Sequence, residues 1–265
     1  MSWQENPAQL FDITGKVAVI VGASGAFGSL AAKTLAAAGT RVLLTAGNVQ
    51  SLEEVAAYCR ERGAEVETLQ IRVQSEEDAR EVVGHAVARF GGVDILVAAA
   101  GTNDVAPITE MSLDRFQSVM QVNVNGSWLM AKAVSEQLIS QGRGGKIVLM
   151  SSARGILGHP AGYAAYCASK SAVDGIVRAL GCELGKHGIT VNAIAPTVFR
   201  SALTAWMFED TERARTARAG LTPRLPLGRL GEPEDLAGPL LFLCSRASDF
   251  YTGHILYADG GYTAG

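Results

Sequence analysis

Short runs of aliphatic and β-branched residues alternate along this chain with longer stretches of helical periodicity. Seven such runs, at 17–21, 41–45, 65–71, 94–98, 146–150, 190–194 and 254–257, predict strands. They read as continuous apolar stretches rather than alternating ones, as in a parallel sheet covered on both faces. Helical patterns lie between them. The first sets Phe27, Leu30, Ala31, Thr34, Leu35 and Ala38 on one stripe before Gly39 stops it. Alternation on this scale, with no internal repeat and no low-complexity linker, predicts an α/β fold. Its core is a doubly wound parallel sheet of about seven strands with helices on both faces, in a single domain over 1–265. One stretch breaks the rhythm. Across 196–231, proline, arginine and glycine interrupt a weak helical pattern around 202–207, and a long excursion after a strand's carboxyl end predicts a substrate lid.

A length of 265 residues suits this architecture, and an apolar fraction of 48% supports a sizeable core. A formal charge of −3 offers no basic face for nucleic acid. The wholly apolar runs fall far short of the roughly 20 residues that span a bilayer. The opening MSWQENPAQLFD lacks the basic and apolar regions of a signal peptide. Cys59, Cys167, Cys182 and Cys244 are scattered without a C-x-x-C pair, which suggests neither a metal site nor a disulfide framework. These features predict a soluble, reduced, cytoplasmic protein with no nucleic-acid or membrane partner.

Two stretches carry chemistry. VGASGAFG, Val21 to Gly28, follows the first strand. In a doubly wound sheet this turn faces the cofactor crevice, and glycines there let a pyrophosphate approach the N–H groups of the helix start. The glycines stand at Gly22, Gly25 and Gly28 rather than in the usual G-x-G-x-x-G spacing, so a plain tight turn is the competing reading. The second stretch, SSARGILGHPAGYAAYCASKSA, holds Ser152, Tyr166 and, one helical turn on, Lys170. Positions i and i+4 share a helix face, so the hydroxyl and the ammonium can address one point. A phenol alone titrates at about pH 10. A neighbouring cation favours the phenolate and predicts a lowered pKa; about three units of lowering correspond to roughly 4 kcal/mol. Tyr163 is less suited, because Cys167 at its i+4 position carries no charge.

In these motifs the sequence resembles the short-chain dehydrogenase/reductase family, over 16–261. The resemblance implies a Rossmann-type fold, a nicotinamide cofactor and a catalytic tetrad of Asn123, Ser152, Tyr166 and Lys170. Tyr166 and Lys170 match the family's Y-x-x-x-K, and Ser152 matches the serine that ends the fifth strand. Asn123, in VNVNG before Gly126, matches its asparagine; Ser151 and Asn125 fit less well. Ser152 stands one residue farther from Tyr166 than is common in the family. The implied activity is that of an NAD(P)-dependent alcohol dehydrogenase or carbonyl reductase. Tyr166 serves as general acid in reduction and general base in oxidation, and Ser152 hydrogen-bonds the substrate oxygen. Lys170 tunes Tyr166 and holds the nicotinamide ribose, while Asn123 supports a water relay to Lys170. The alternatives are a 3-oxoacyl-carrier-protein reductase and a non-catalytic nucleotide-binding regulatory subunit.

The implied cofactor contacts begin with Gly22, Ser24, Gly25, Ala26, Phe27 and Gly28. Ala46, Gly47 and Asn48 follow the second strand, Arg72 and Val73 the third, and Ala99, Ala100 and Gly101 the fourth. Pro196, Thr197, Val198 and Ser201 complete the nicotinamide side with Tyr166 and Lys170. Several positions depart from the family. Ala26 replaces a loop glycine, alanines replace the asparagines of its NNAG, and Arg72 or Gln74 stands where an aspartate is common near the adenine. An acid after the second strand reads the ribose of NAD, and an arginine accommodates the 2′-phosphate of NADP. Ala46 occupies the acidic position and no arginine is evident beside Gly47, though Thr45, Asn48 and Ser51 can donate hydrogen bonds. The missing acid tips the balance from NAD to NADP. Family position places Ser152, Arg154, His159, Tyr163, Trp206 and Met207 near a small carbonyl or alcohol substrate of the polyol, sugar-acid or aromatic-ketone class. Arg154 is suited to grip a carboxylate or phosphate. No metal is implied. The resemblance also implies a homotetramer that pairs the helices of Asn123 and Tyr166, and a turn at Asp259, Gly260 and Gly261.

Overall fold

The computed structural model describes residues 4–201 and 204–265. Among the described residues, seven strands form one sheet: β1 (Val17–Val21), β2 (Arg41–Ala46), β3 (Val66–Gln70), β4 (Ile95–Ala98), β5 (Gly145–Met150), β6 (Ile189–Pro196) and β7 (Ile255–Ala258). All pair in parallel, in the order β3-β2-β1-β4-β5-β6-β7. This is the doubly wound α/β sheet the pattern predicts. Successive side chains of β1 serve two cores. Val17, Val19 and Val21 join one, and Ala18 and Ile20 the other. The first core is closed by α3 (Glu76–Phe90), α5 (Gly126–Gln141) and α6 (Ala164–Leu184). The second is closed by α1 (Ala26–Ala37), α2 (Val49–Arg60) and α8 (Glu234–Cys244). Covering both faces is why the strands read as unbroken apolar runs. The strand order reverses between β1 and β4, which opens a crevice beyond their carboxyl ends.

Two local features shape that crevice. α4 (Leu113–Met120) passes through a π-helical turn, Gln121–Asn125, into α5. Such turns tend to mark functional sites, and this one carries Asn123. β6 runs on to Pro196, which pairs with Ala258 of β7 at the strand end, where a missing N–H is tolerated.

The interrupted stretch 196–231 contains a helix that its pattern did not announce, α7 (Glu212–Leu221). Thr211 caps it by accepting from Ala214 N at 3.2 Å, and alanine and arginine sustain it. Ala214 is its one buried residue, so there is no apolar stripe to read. The weak pattern at 202–207 gives a single 3₁₀ turn, Ala205–Phe208, with 202 and 203 outside the described residues. No described helix is long and apolar enough to cross a membrane.

Candidate active site

β1 delivers the chain into the glycine turn. Gly22 has φ of 80°, and a Cβ on it would stand 2.5 Å from Ala100 N. Only glycine lets the loops after β1 and β4 touch here. A Cβ on Gly28 would collide with the Gly22 carbonyl oxygen. Gly25 begins α1 with no side chain capping it, which leaves first-turn N–H groups for an anion. Gly22, Ser24 and Gly25 open onto a cavity of about 460 Å³, walled further by Ala46, Gly47, Arg72, Val73 and Ala99 to Gly101.

Arg72, expected on the adenine side, also supplies the cation that was not evident beside Gly47. Its side chain crosses from the end of β3 and lies over Gly47, where a Cβ would meet Arg72 Cγ at 2.6 Å and Cδ at 2.8 Å. The cavity wall includes this cation and no aspartate or glutamate. A glycine cradle, uncapped helix N–H groups, a cation and no opposing acid fit a phosphorylated dinucleotide. Four expected contacts stand off the wall. Phe27 begins the apolar stripe of α1 and is buried in the core. Asn48 caps α2 by accepting from Ser51 N at 3.0 Å, so its side chain is engaged there. Ala26 and Gly28 lie in the first turn of α1, which leaves backbone N–H groups as their means of contact.

The cavity shares Ala99, Gly101 and Thr102 with a cleft of about 620 Å³. Ser152, beyond β5, and Tyr166 and Lys170 of α6 line this cleft with Pro196, Thr197, Val198 and Ser201. Ser151 also lines the cleft, but its hydroxyl is donated to buried Asp174, whereas the Ser152 hydroxyl bonds that of Tyr166. Asn123 is buried behind the wall. Its side chain accepts from Thr102 N at 2.8 Å and donates to Thr102 O and to Ser169 Oγ at 2.9 Å, clamping the loop after β4 to α6.

Lys170 is 3% exposed, donates to Met150 O at 2.7 Å and sits 5.6 Å from the Tyr166 ring centroid. Burial lowers its pKa to about 8, against the pull of Asp174 one turn on. Burial also holds the Tyr166 phenol above its ordinary value, countered in part by a hydrogen bond with Ser152. This corrects the expected lowering by Lys170. The ammonium bonds a main-chain carbonyl, and desolvation disfavours the charged form of both groups. Tyr166 therefore rests as a neutral phenol.

At the cleft mouth the His159 and Tyr163 rings meet at a 45° tilt with centroids 4.4 Å apart, and His159 Nδ1 accepts from Ala161 N at 3.1 Å. Burial first, then Arg154 and Arg224, push the imidazole below its usual pKa. Arg154 donates to Gly158 O at 2.7 Å and Tyr262 Oη at 3.0 Å, so two of its N–H groups already have partners. Trp206 and Met207 pack with Ala153, Leu225, Leu230 and Tyr262 instead of lining the cleft, because their 3₁₀ turn tucks its apolar side inward. Arg224, Tyr262, Thr102 and Asn103 line the cleft without having been read from sequence. Only Tyr262, just past the expected turn, had a nearby signal: Asp259 Oδ1 accepts from Gly261 N at 3.0 Å there.

A protein-family model described as enoyl-(acyl carrier protein) reductase matches residues 22–263. An uncharacterized oxidoreductase of Mycobacterium tuberculosis is 48% identical over 254 residues, covering 96% of this chain and 93% of that protein. The gluconate 5-dehydrogenase of Gluconobacter oxydans is 34% identical over 254 residues, covering 96% and 97% respectively. A solved gluconate 5-dehydrogenase from Burkholderia cenocepacia, in complex with NADP and tartrate, superimposes with a TM-score of 0.90 at 30% identity, over 98% of this chain and 100% of that one. These matches run through the sheet and both cavities, and the chain belongs to the short-chain dehydrogenase/reductase family of NAD(P)-dependent oxidoreductases acting on alcohols.

Proposed function

We propose that the chain interconverts a secondary alcohol and a ketone on a polyhydroxylated acid, with NADP as cofactor. The observation that carries this is the convergence of Ser152, Tyr166 and Lys170 on a cleft that shares its wall with the glycine-lined cavity. Gly22, Ser24, Gly25 and the start of α1 would hold the pyrophosphate, and Arg72 the 2′-phosphate. Thr197, Val198 and Ser201 would hold the nicotinamide, and Lys170 its ribose. When bound, the nicotinamide supplies or accepts the hydride. The protein's part is binding, orientation and proton movement. In reduction the Tyr166 hydroxyl donates its proton to the substrate oxygen while Ser152 hydrogen-bonds the same atom. In oxidation the Tyr166 phenolate, stabilised by a protonated Lys170, takes the proton of the substrate hydroxyl and becomes the neutral phenol. Asn123 fixes the loop beneath. A Cβ on Gly101 would meet Asn123 Oδ1 at 3.5 Å and Lys170 Nζ at 3.7 Å, so the two groups flank the place where a water relay would run.

The names of the gluconate dehydrogenases support the acid substrate, as does the polar cleft of Thr102, Asn103, Ser152 and Tyr163. Segment 196–231, with α7, would act as the lid, within a single catalytic domain. A homotetramer is also proposed, with exposed Trp128 and Ile139 of α5 offering apolar area; light scattering of the purified protein checks it. The activity test is a panel of hexonates, hexitols and their ketones, followed by nicotinamide absorbance in both directions. Turnover with NADP supports the reading. Tight NADPH binding with no turnover across the panel would instead favour a nucleotide-binding subunit.

A further inference from the structure

The cleft mouth holds positive charge that the protein itself does not neutralise. Among the residues lining the cleft, Lys170, Arg154 and Arg224 are cationic and none is an aspartate or glutamate. Three arginines of the same segment pair with carboxylates: Arg200 with Glu232, Arg215 with Asp210 and Arg229 with Asp235. Arg218 donates to main-chain carbonyls and Arg213 lies over Trp206, and neither of these lines the cleft. Arg154 and Arg224 instead approach one aromatic ring. Their guanidinium carbons lie 5.4 Å and 4.6 Å from the centroid of Tyr262, which is only 2% exposed. Tyr262 thus anchors two like charges around one ring, and both, after burial, contribute to holding His159 below its usual pKa. Holding two unneutralised cations together is costly in the absence of an anion.

Resting on the oxidoreductase reading above, we infer that Arg224, held over Tyr262 beside Arg154, binds a carboxylate on the substrate. Arg154 has two N–H groups committed to Gly158 and Tyr262. Arg224, on the 3₁₀ turn Thr222–Arg224, is exposed and brings a planar fork of donors, the shape that meets a carboxylate at both oxygens. A phosphate dianion suits the wall less well. Ala217, Gly220 and Leu221 bring the carboxyl end of α7 to the cleft, and that end of a helix carries partial negative charge. A carboxylate anchored here leaves the hydroxyl-bearing carbons of the substrate to reach Ser152 and Tyr166 in the same cleft.

The test measures binding rather than turnover, so it stands apart from the activity panel. D-gluconate, its neutral counterpart D-glucitol, and D-glucitol 6-phosphate are titrated calorimetrically into the full chain and into Arg224→Gln and Arg224→Lys. Gluconate should bind at least about tenfold more tightly than glucitol, and Arg224→Gln should remove most of that preference, consistent with a charge-assisted hydrogen bond. Arg224→Lys, which keeps the charge and loses the fork, should retain part of it. Glucitol binding should be unchanged in both variants, which also reports an intact cleft. The inference is overturned if gluconate and glucitol bind alike, or if Arg224→Gln preserves the preference. Tighter binding of the phosphate ester than of gluconate overturns the carboxylate assignment.

Discussion

Removing the Arg72 guanidinium should change which cofactor the protein prefers while leaving its fold intact. The side chain reaches from the end of β3 across Gly47 at the end of β2, in a wall that includes no acid. A hydrogen bond from a charged donor to an anion contributes about 1.5–3 kcal/mol. Arg72 is exposed, which places it in the lower part of that range. Arg72→Ala should therefore cost about 2 kcal/mol of NADPH binding, roughly a thirtyfold rise in Kd. NADH lacks the 2′-phosphate and should be nearly unaffected. Titrating nicotinamide fluorescence with each cofactor, at low and high salt, gives the ratio directly. Salt should weaken NADPH binding to the wild type more than to the variant, because screening acts on the exposed ion pair. Gly47→Ala provides a second perturbation: its Cβ displaces Arg72 without removing the charge, and should lower NADPH affinity in the same sense. If Arg72→Ala leaves the NADPH-to-NADH ratio unchanged, the guanidinium does not read the 2′-phosphate.

Two further predictions concern the loop and the buried lysine. Gly28→Ala should lower both stability and cofactor affinity, since its Cβ would collide with Gly22 O and stand 2.9 Å from Ala23 Cα. A cost of about 1–3 kcal/mol is expected for such overpacking, while Gly25→Ala, 3.3 Å from the same oxygen, should be milder in thermal melts. Lys170 is lowered to about 8 in the folded protein, against about 10.4 when unfolded. Between those values the unfolded chain binds the extra proton, so stability rises with pH there, by an amount on the order of 3 kcal/mol in all. The urea midpoint of the cofactor-free wild type, followed from about pH 7 to pH 11, should shift upward relative to that of Lys170→Met. Buried thiols such as Cys244, whose pKa is raised, pull both proteins the other way alike. Equal slopes would contradict the burial argument.

The sheet was legible because parallel strands covered on both faces leave continuous apolar runs, and boundaries drifted by a residue or two in both directions, extended at Pro196 and shortened from 65–71 to Val66–Gln70. The helix at Glu212–Leu221 was not legible, since a helix burying one alanine leaves no periodicity. The Ser152, Tyr166 and Lys170 cluster was readable for a local reason: one helical turn and one adjoining loop fix it. Arg72 over Gly47, and Arg154 and Arg224 around Tyr262, depend on side chains crossing between elements far apart in sequence. Phe27 and Asn48 differ in the opposite sense, because their side chains are engaged elsewhere. Sequence position put them near the cofactor, but an apolar stripe claims one side chain and a helix cap the other.

The most direct measurement compares Tyr166→Phe with the wild type, using a substrate from the activity panel and the NADPH affinity of each protein. The variant loses only the hydroxyl that moves the proton. Its NADPH Kd should stay within about twofold, and kcat should fall by about 10³-fold, as expected for removal of a positioned general acid. Turnover surviving near the wild-type rate, with NADPH bound equally well, would contradict Tyr166 as the proton donor.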